Sequence, residues 1–544
     1  MADNDGGVVM TPSRNREQRM ATEAAPGSSL DEATSTARRS VRWWTLGVAC
    51  VATFMLMLDV TVVNVALPDI RVDLRANLSA QQWVIDAYTL ALAAFLLTGG
   101  SLADRLGRKR VFSAGLVIFT IASVVAGAAQ GMVMLNVARG VQGIGAAVLF
   151  AVAPALIAQE FTGKERGQAF GIFGAVTGLA LAFGPALGGL LTEADWRWIF
   201  LVNLPVGVVL LVLSMSRLRE MRPGASAGVD WPGLAVFSAA LVLLVLGFLR
   251  GGTFGWTSTA VLSMLVAGGL LLVVFAIIEA RRRDAAMLDL SLFRNRTFVG
   301  LSAATFLSNA TSLAAIFLEV SYLQNVLGYS ALEAGLRLLP LTLVLFVVAA
   351  ATGGVVTRFP PGMLLGTSIL FIAVGMGLIA TVSPDDSWLA LLPSMIVMGI
   401  GMGMFNPPRS TVTVGVVEPA KAGMATGIGE TFQQVGVAFG VAAFGALFQS
   451  RVVTNVDASP LAADLAGPGD SREVGHAIAS GAGNELPAGA FPDTSGQVAD
   501  AARAVFVDSF GSVMLVCAVV CAVGALIAYG LIRRADLHES ALSE

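Results

Sequence analysis

Apolar residues in this chain run in long windows that recur from end to end, separated by short polar stretches. A helix needs about twenty apolar residues to cross the ~30 Å hydrocarbon layer of a membrane. Windows of that length fall near 44–66, 82–103, 110–129, 132–157, 168–191, 198–216, 231–250, 258–279, 298–323, 334–356, 362–383, 389–408, 424–449 and 506–532. The pattern predicts an all-α membrane protein with fourteen transmembrane helices, and an even count places both termini on one side. Residues 1–42 are polar and lack an apolar run, which predicts a disordered cytoplasmic tail and not a cleaved signal peptide. Residues 450–505 read as a long mobile external loop, and 533–544 as a cytoplasmic tail.

Composition agrees. Hydrophobic residues make up 56% of the 544 and charged residues only 13%, about half the charge of a soluble domain. The 60 glycines suit helices that pack closely through small residues. A net charge of −3 gives no support for a nucleic-acid partner. Placing both termini in the cytoplasm puts 25 of the 34 Lys and Arg residues on or beside that face, Arg358, Arg409 and Lys421 among them. Cys50, Cys517 and Cys521 all lie inside apolar windows, so neither a disulfide framework nor a metal site is expected. Gly163-Lys164 lacks the upstream Gly and the following Ser or Thr of a nucleotide-binding loop, so no ATP chemistry is expected.

His476 and His538 fall outside the windows, which leaves intramembrane proton chemistry to carboxylates. Asp59 lies about sixteen residues into the first apolar run, where an ionised Asp costs roughly 2.5–3.5 kcal/mol and normally faces a bundle interior or wet cavity. Glu430, about seven residues into span 13, sits beside Gln433 and Gln434 on a polar side of that helix. Glu319 lies near the external end of span 9. Asp86 lies four residues into span 2 and is equally readable as an interfacial residue. Arg139 is only a few residues into span 4, where snorkelling to the interface is the plain alternative to an intramembrane role.

The loop after span 2 reads Gly99-Gly100-Ser101-Leu102-Ala103-Asp104-Arg105-Leu106-Gly107-Arg108-Lys109-Arg110. It resembles the cytoplasmic signature loop of the major facilitator superfamily, between its second and third helices. Leu135–Ala147, with Arg139, Gly140, Gln142 and Gly143, resembles the family's intramembrane-arginine motif. In span 5, Gly174, Gly178 and Ala182 recur every four residues, and Gly184-Pro185-Ala186-Leu187-Gly188-Gly189 follows. That stretch resembles the antiporter signature of the superfamily. The Asp59 segment and Trp196–Gly207 resemble its fourteen-span drug:H⁺ antiporter group. The second half matches more sparsely, through fragments such as Leu327-Gly328-Tyr329-Ser330 and Gln434-Val435-Gly436. Gly353–Phe359 looks like a degraded copy of the signature loop, without its Asp and basic run, and takes no role by resemblance.

The resemblance implies two six-helix bundles, 43–220 and 297–532, with helices 7 and 8 inserted between them in 221–296. It implies a secondary transporter and not an enzyme, a monomer in the plasma membrane that exports hydrophobic or amphipathic small molecules by alternating access. Its energy source would be the proton gradient, with no bound cofactor. Proton or substrate coupling is then expected at Asp59, Arg139, Glu430, Glu319 and Asp86. Gly100, Asp104, Arg105, Gly107, Arg108, Lys109 and Arg110 are expected to form a gate of exposed charge pairs. Gly174, Gly178, Gly184, Pro185, Gly188 and Gly189 would form a smooth, kinked sealing helix. The alternatives are a dedicated exporter of one metabolite, such as an antibiotic or amino acid, and a non-transporting membrane sensor.

Overall fold

The computed structural model describes residues 27–76, 78–220, 230–282, 288–356, 358–418, 421–459, 474–475, 478–479 and 495–537. Its first-half helices are α1 Gly27–Asp73, α2 Leu78–Leu106, α3 Arg108–Gly127, α4 Met132–Glu160, α5 Gly163–Ala194 and α6 Trp198–Arg217. The middle pair is α7 Trp231–Phe254 and α8 Thr259–Arg282. The second half holds α9 Arg296–Asn325, α10 Leu339–Gly353, α11 Pro361–Ile379, α12 Leu392–Gly415, α13 Ala422–Asp457 and α14 Ser495–Leu531.

Among the described residues, 12 helices are long and apolar enough to cross a membrane, against the fourteen expected. The other two expected spans are present as helices but do not meet that measure. Span 5 is α5, several of whose side chains fall outside the described set. Span 10 is the 15-residue α10, preceded by a separate short helix, Ala331–Arg337, that starts at a Ser330/Glu333 capping box. The expected disordered tail is also shorter than predicted. No Gly or Pro follows Gly27 until the apolar window begins, and α1 extends back to that residue; residues 1–26 lie outside the described set. Of the expected external loop, 450–457 continue α13 and 495–505 begin α14, and most of the remainder lies outside the described residues.

The two halves repeat one packing scheme. In the first, α2 and α3 pack on α4, α1 on α5, and α6 on α1 and α3. In the second, α10 and α11 pack on α12, α9 on α13, and α14 on α9 and α11. Adding eight to each first-half label reproduces the second. The halves meet along two seams, α2 against α13 and α5 against α10, which the same relation exchanges. This is the two-bundle plan of transporters built from parallel repeats.

Helices α7 and α8 pack on each other, and α7 lies across the first seam, touching both α2 and α13. Ser238 Oγ donates to Ala94 O of α2, and Phe248 meets Phe439 of α13 edge-on. Apolar side chains along α8, Leu262, Val266, Leu270 and Val273 among them, stay exposed, as a lipid-facing helix requires. Exposed Trp43 and Trp44 open the apolar stretch of α1, and exposed Trp198 and Trp231 begin α6 and α7, positions where amphipathic rings favour the headgroup layer.

Candidate functional site

Asp59 is buried in the first bundle, and so is every group that binds it. Arg139 Nη1 donates to Asp59 Oδ2 at 2.6 Å and to Gln142 Oε1 at 2.8 Å. Gln142 Nε2 and Asn203 Nδ2 donate to Asp59 Oδ1 at 2.8 and 3.2 Å. Arg139 Nε donates to the Val84 carbonyl, and its guanidinium lies 4.2 Å from the Tyr88 ring centroid. Asn203 continues the chain to Ser123 Oγ, which donates to Phe200 O. Five helices, α1, α2, α3, α4 and α6, therefore converge on one ion pair. The pair survives burial because its remaining hydrogen-bonding capacity is met by fixed dipoles. Arg139 does not snorkel. Its helix position aims it inward, where Asp59 is its ion-pair partner among the described residues.

The second bundle holds a looser counterpart. Arg409 Nη2 on α12 donates to Glu430 Oε1 on α13 at 2.9 Å, with both side chains buried. Among the described residues, Glu430 Oε2 and Arg409 Nε have no hydrogen-bond partner. The charge count places Arg409 at the cytoplasmic edge. It lies instead within α12, directly after Pro407 and Pro408, and neutralises Glu430. Glu319 on α9 has no exposed surface, and among the described residues neither of its carboxyl oxygens has a hydrogen-bond partner.

Asp86 belongs to another arrangement. It pairs with Arg250 Nη2 of α7 at 3.2 Å, and the Arg250 guanidinium stands 5.0 Å from the Trp83 ring centroid. The carboxylate thus fastens an inserted helix to α2. At the far end of the inserted pair, Lys421 Nζ donates to Asp289 Oδ2 at 2.7 Å, just ahead of α13. Burial alone would raise the Asp289 carboxyl, but the Lys421 and Ser291 hydrogen bonds outweigh it and hold it below the ordinary range.

The gate differs from the exposed pairs expected. Asp104 is buried and reaches across the seam, where its carboxylate accepts from Gly423 N at 3.1 Å and Met424 N at 2.8 Å. Those amides belong to the first turn of α13, whose partial positive charge favours an anion. Buried Arg108 holds the same carboxylate through Nε and Nη2 at 3.2 and 3.0 Å and donates to Ala155 O. Lys109 and Arg110 turn the other way. Their backbone amides donate to Glu220 beyond α6, and Lys109 Nζ donates to Met215 O. Arg105 is partly buried. Asp104 and Arg108 therefore form a cross-bundle latch, and Lys109 and Arg110 a clamp within the first bundle. Gly107 separates them at φ 105°, and any Cβ there would strike Glu220.

Backbone contact reinforces the latch. A side chain at Gly100 would collide with the Gly423 carbonyl, and on the other seam Gly167 and Gly353 oppose each other in the same way. Both seams are closed at the end that carries Asp104.

The glycines of α5 serve two neighbours. Gly174 faces Asn406 of α12 and Gly178 faces Leu345 of α10, both across the seam, whereas Gly184 and Gly188 face Thr61 and Val62 of α1. A Cβ at Gly189 would meet nothing within 4 Å, and the side chain of Pro185 lies outside the described residues. Gly178→Leu is expected to drive α5 off α10 and uncouple transport, read as a substrate-independent proton leak in proteoliposomes. Tight coupling in that variant would remove α5 from the seal.

Residues 49–441 match the family model of the Major Facilitator Superfamily. The chain is 38% identical over 407 residues to a puromycin resistance protein of Streptomyces alboniger, covering 74% of this chain and 80% of that one. It is 37% identical over 451 residues to a probable actinorhodin transporter of Streptomyces coelicolor, covering 79% and 77%. Among solved structures, a proton:xylose symporter bound to 6-bromo-6-deoxy-D-glucose superposes with a TM-score of 0.59 at 14% identity, covering 91% of this chain and 96% of that one. At that identity the likeness speaks for the fold alone.

Proposed function

The chain belongs to the major facilitator superfamily, a family of membrane transporters and not of enzymes, and from that premise we propose that it exports hydrophobic or amphipathic small molecules in exchange for protons. Kinship with a puromycin resistance protein and a probable actinorhodin transporter supports the outward direction. The observation that carries the coupling reading is the half-paired Glu430, with one oxygen on Arg409 and the other free inside a transmembrane bundle. Such a carboxylate can hold a cationic substrate on its second oxygen and keep Arg409, whereas a proton taken there would cancel its charge and release Arg409.

Alternating access then proceeds by rocking one bundle against the other. The Asp104 latch holds one end shut, with the Asp59–Arg139 network keeping the first bundle rigid as it moves. An inward proton gains about 2.3 kcal/mol per 100 mV of membrane potential, to which any pH gradient adds. We read the protein as a plasma-membrane monomer driven by the proton gradient, and the Lys and Arg distribution favours placing both termini and the Asp104 gate in the cytoplasm.

Everted vesicles given an inward-acidic pH gradient are expected to accumulate substrate and release protons. Accumulation that followed a sodium gradient instead would overturn the coupling ion. In a resistance profile of a pump-deficient host, Glu430→Gln is expected to lose cationic compounds and keep neutral ones. Equal retention of both classes would dismiss Glu430 from substrate recognition. A second reading, a dedicated exporter of one antibiotic, is favoured by the single-compound names of the two relatives. Protection confined to one compound in that profile would select it.

A further inference from the structure

Three carboxyls lie wholly buried in the hearts of the bundles, and two of them already hold a cation. Asp59 receives Arg139, Gln142 and Asn203, so no oxygen is left for a proton without breaking a satisfied network. Glu430 keeps one oxygen on Arg409. Glu319 alone of the three has no exposed surface and no partner for either oxygen among the described residues. Ser312 Oγ and Tyr322 Oη are also buried and without a hydrogen-bond partner. They stand seven residues before and three after Glu319 in the same helix, and both spacings return to one face of an α-helix. One face of α9 thus presents a carboxyl and two hydroxyls inside the bundle with nothing bonded to them.

We infer that Glu319 is the carboxyl that carries the coupling proton, an assignment that rests on the proton-coupled export proposed above. A bare carboxylate in such surroundings costs several kcal/mol, whereas the neutral acid has no charge to desolvate. Among the described residues, the charged groups on the neighbouring helices are paired or exposed: Glu430 is held by Arg409, Asp508 by Asn455, and Arg337 by the Glu333 carbonyl and the Tyr329 ring, while Arg451 and Asp457 of α13 and the Asp500–Arg503 pair of α14 are exposed. Mid-way along α14 the described titratable groups are the buried thiols Cys517 and Cys521. No described cation is hydrogen-bonded to Glu319, so none holds its carboxylate against the proton. Glu319 also lies in the half of α9 remote from the closed gate, because the start of α9 is tied by Thr297 to the Leu531–Arg533 end of α14 and the gate forms at that same level through Asp289, Lys421 and Met424.

The step is a proton transfer and nothing else. One O–H bond forms at a Glu319 oxygen with a proton from the side opposite the gate, and it breaks when the bundles rock and the proton leaves on the gate side. Tyr322, one turn further along α9, acts as a positioning residue for the acid, and Ser312, two turns or about 10 Å nearer the gate, lines the same face.

The test uses full-length protein reconstituted in liposomes, with ethidium as the transported probe. The infrared C=O band of a protonated carboxylic acid is expected in the wild type, absent from Glu319→Gln and retained in Glu430→Gln. Ethidium accumulation driven by a pH gradient is expected to fall in Glu319→Gln to that of protein-free vesicles, while gradient-free ethidium exchange persists. Glu319→Asp is expected to recover part of the driven uptake, and it keeps the question decidable if the Gln variant does not insert. An acid band that survives Glu319→Gln, or pH-driven accumulation unchanged in it, overturns the assignment. A wild type whose transport ignores the pH gradient overturns the coupling reading instead, so the two failures are distinct.

Discussion

Asp59→Asn is expected to abolish gradient-driven export and to destabilise the folded protein by about 3–5 kcal/mol, the usual cost of leaving one member of a buried ion pair uncompensated. The amide keeps the size of the carboxylate and can still accept from Gln142 or Asn203. It cannot neutralise Arg139, whose guanidinium has almost no access to solvent. Thermal unfolding in detergent reads the stability loss, and substrate accumulation in everted vesicles reads the transport loss. The double variant Asp59→Asn with Arg139→Gln separates them. Removing both charges should recover most of the stability and none of the export. A double variant that recovers export as well would reduce the pair to a structural role, and near-normal export by the single variant would take Asp59 out of the mechanism altogether.

Asp104→Asn is expected to open the gate. The carboxylate receives two amides from the start of α13 and two nitrogens from Arg108, so the substitution weakens the only charge-assisted hydrogen bonds described across that seam. Hydrogen bonds to a charged group are worth about 1.5–3 kcal/mol, and an anion at a helix N-terminus adds about 0.3–2. A loss of about 1.4 kcal/mol already shifts a two-state equilibrium tenfold. Distances between spin labels on α2 and α13 near the gate should move toward the separated population, and turnover should slow. Substrate affinity in detergent should stay within a factor of a few, because no substrate contact is touched. Gly100→Leu should act in the same direction by steric force, since its side chain would occupy the place of the Gly423 carbonyl. Label distances unchanged in both variants would reject the latch, and a large affinity loss with unchanged distances would make the site one of binding.

Much of this protein was legible before any contact was known. A membrane judges each segment by its own hydrophobicity, because a spanning helix must satisfy its backbone internally. The windows therefore located the helices, and a charge inside one, such as Asp59, Glu319 or Glu430, announced itself by its cost. Gly107 and the Gly99–Arg110 loop were likewise readable, since a tight turn between two helices is a local matter. Among helix positions, local reading departed from the structure where boundaries are soft: at the start of α1 and in the broken tenth span.

Partnership is not local, and the tertiary structure decided it. Arg139 stands 80 residues from Asp59, and the Gly423 amide stands 319 residues from Asp104. Arg409 looked like an interfacial cation because it directly follows the apolar window 389–408, yet α12 runs on to Gly415 and its packing on α13 turns Arg409 onto Glu430. Glu220, which clamps the start of α3, and Arg250, which anchors α7 through Asp86, carry no sequence mark that separates them from ordinary charges at helix ends. The glycines of α5 form two pairs of the same four-residue spacing, but Gly174 and Gly178 meet the opposite bundle whereas Gly184 and Gly188 meet α1. Hydropathy states what a segment costs in lipid, one residue at a time. Which carboxylate is neutralised, which closes a seam and which is left alone depends on side chains brought together from distant segments, and only the fold supplies that neighbourhood.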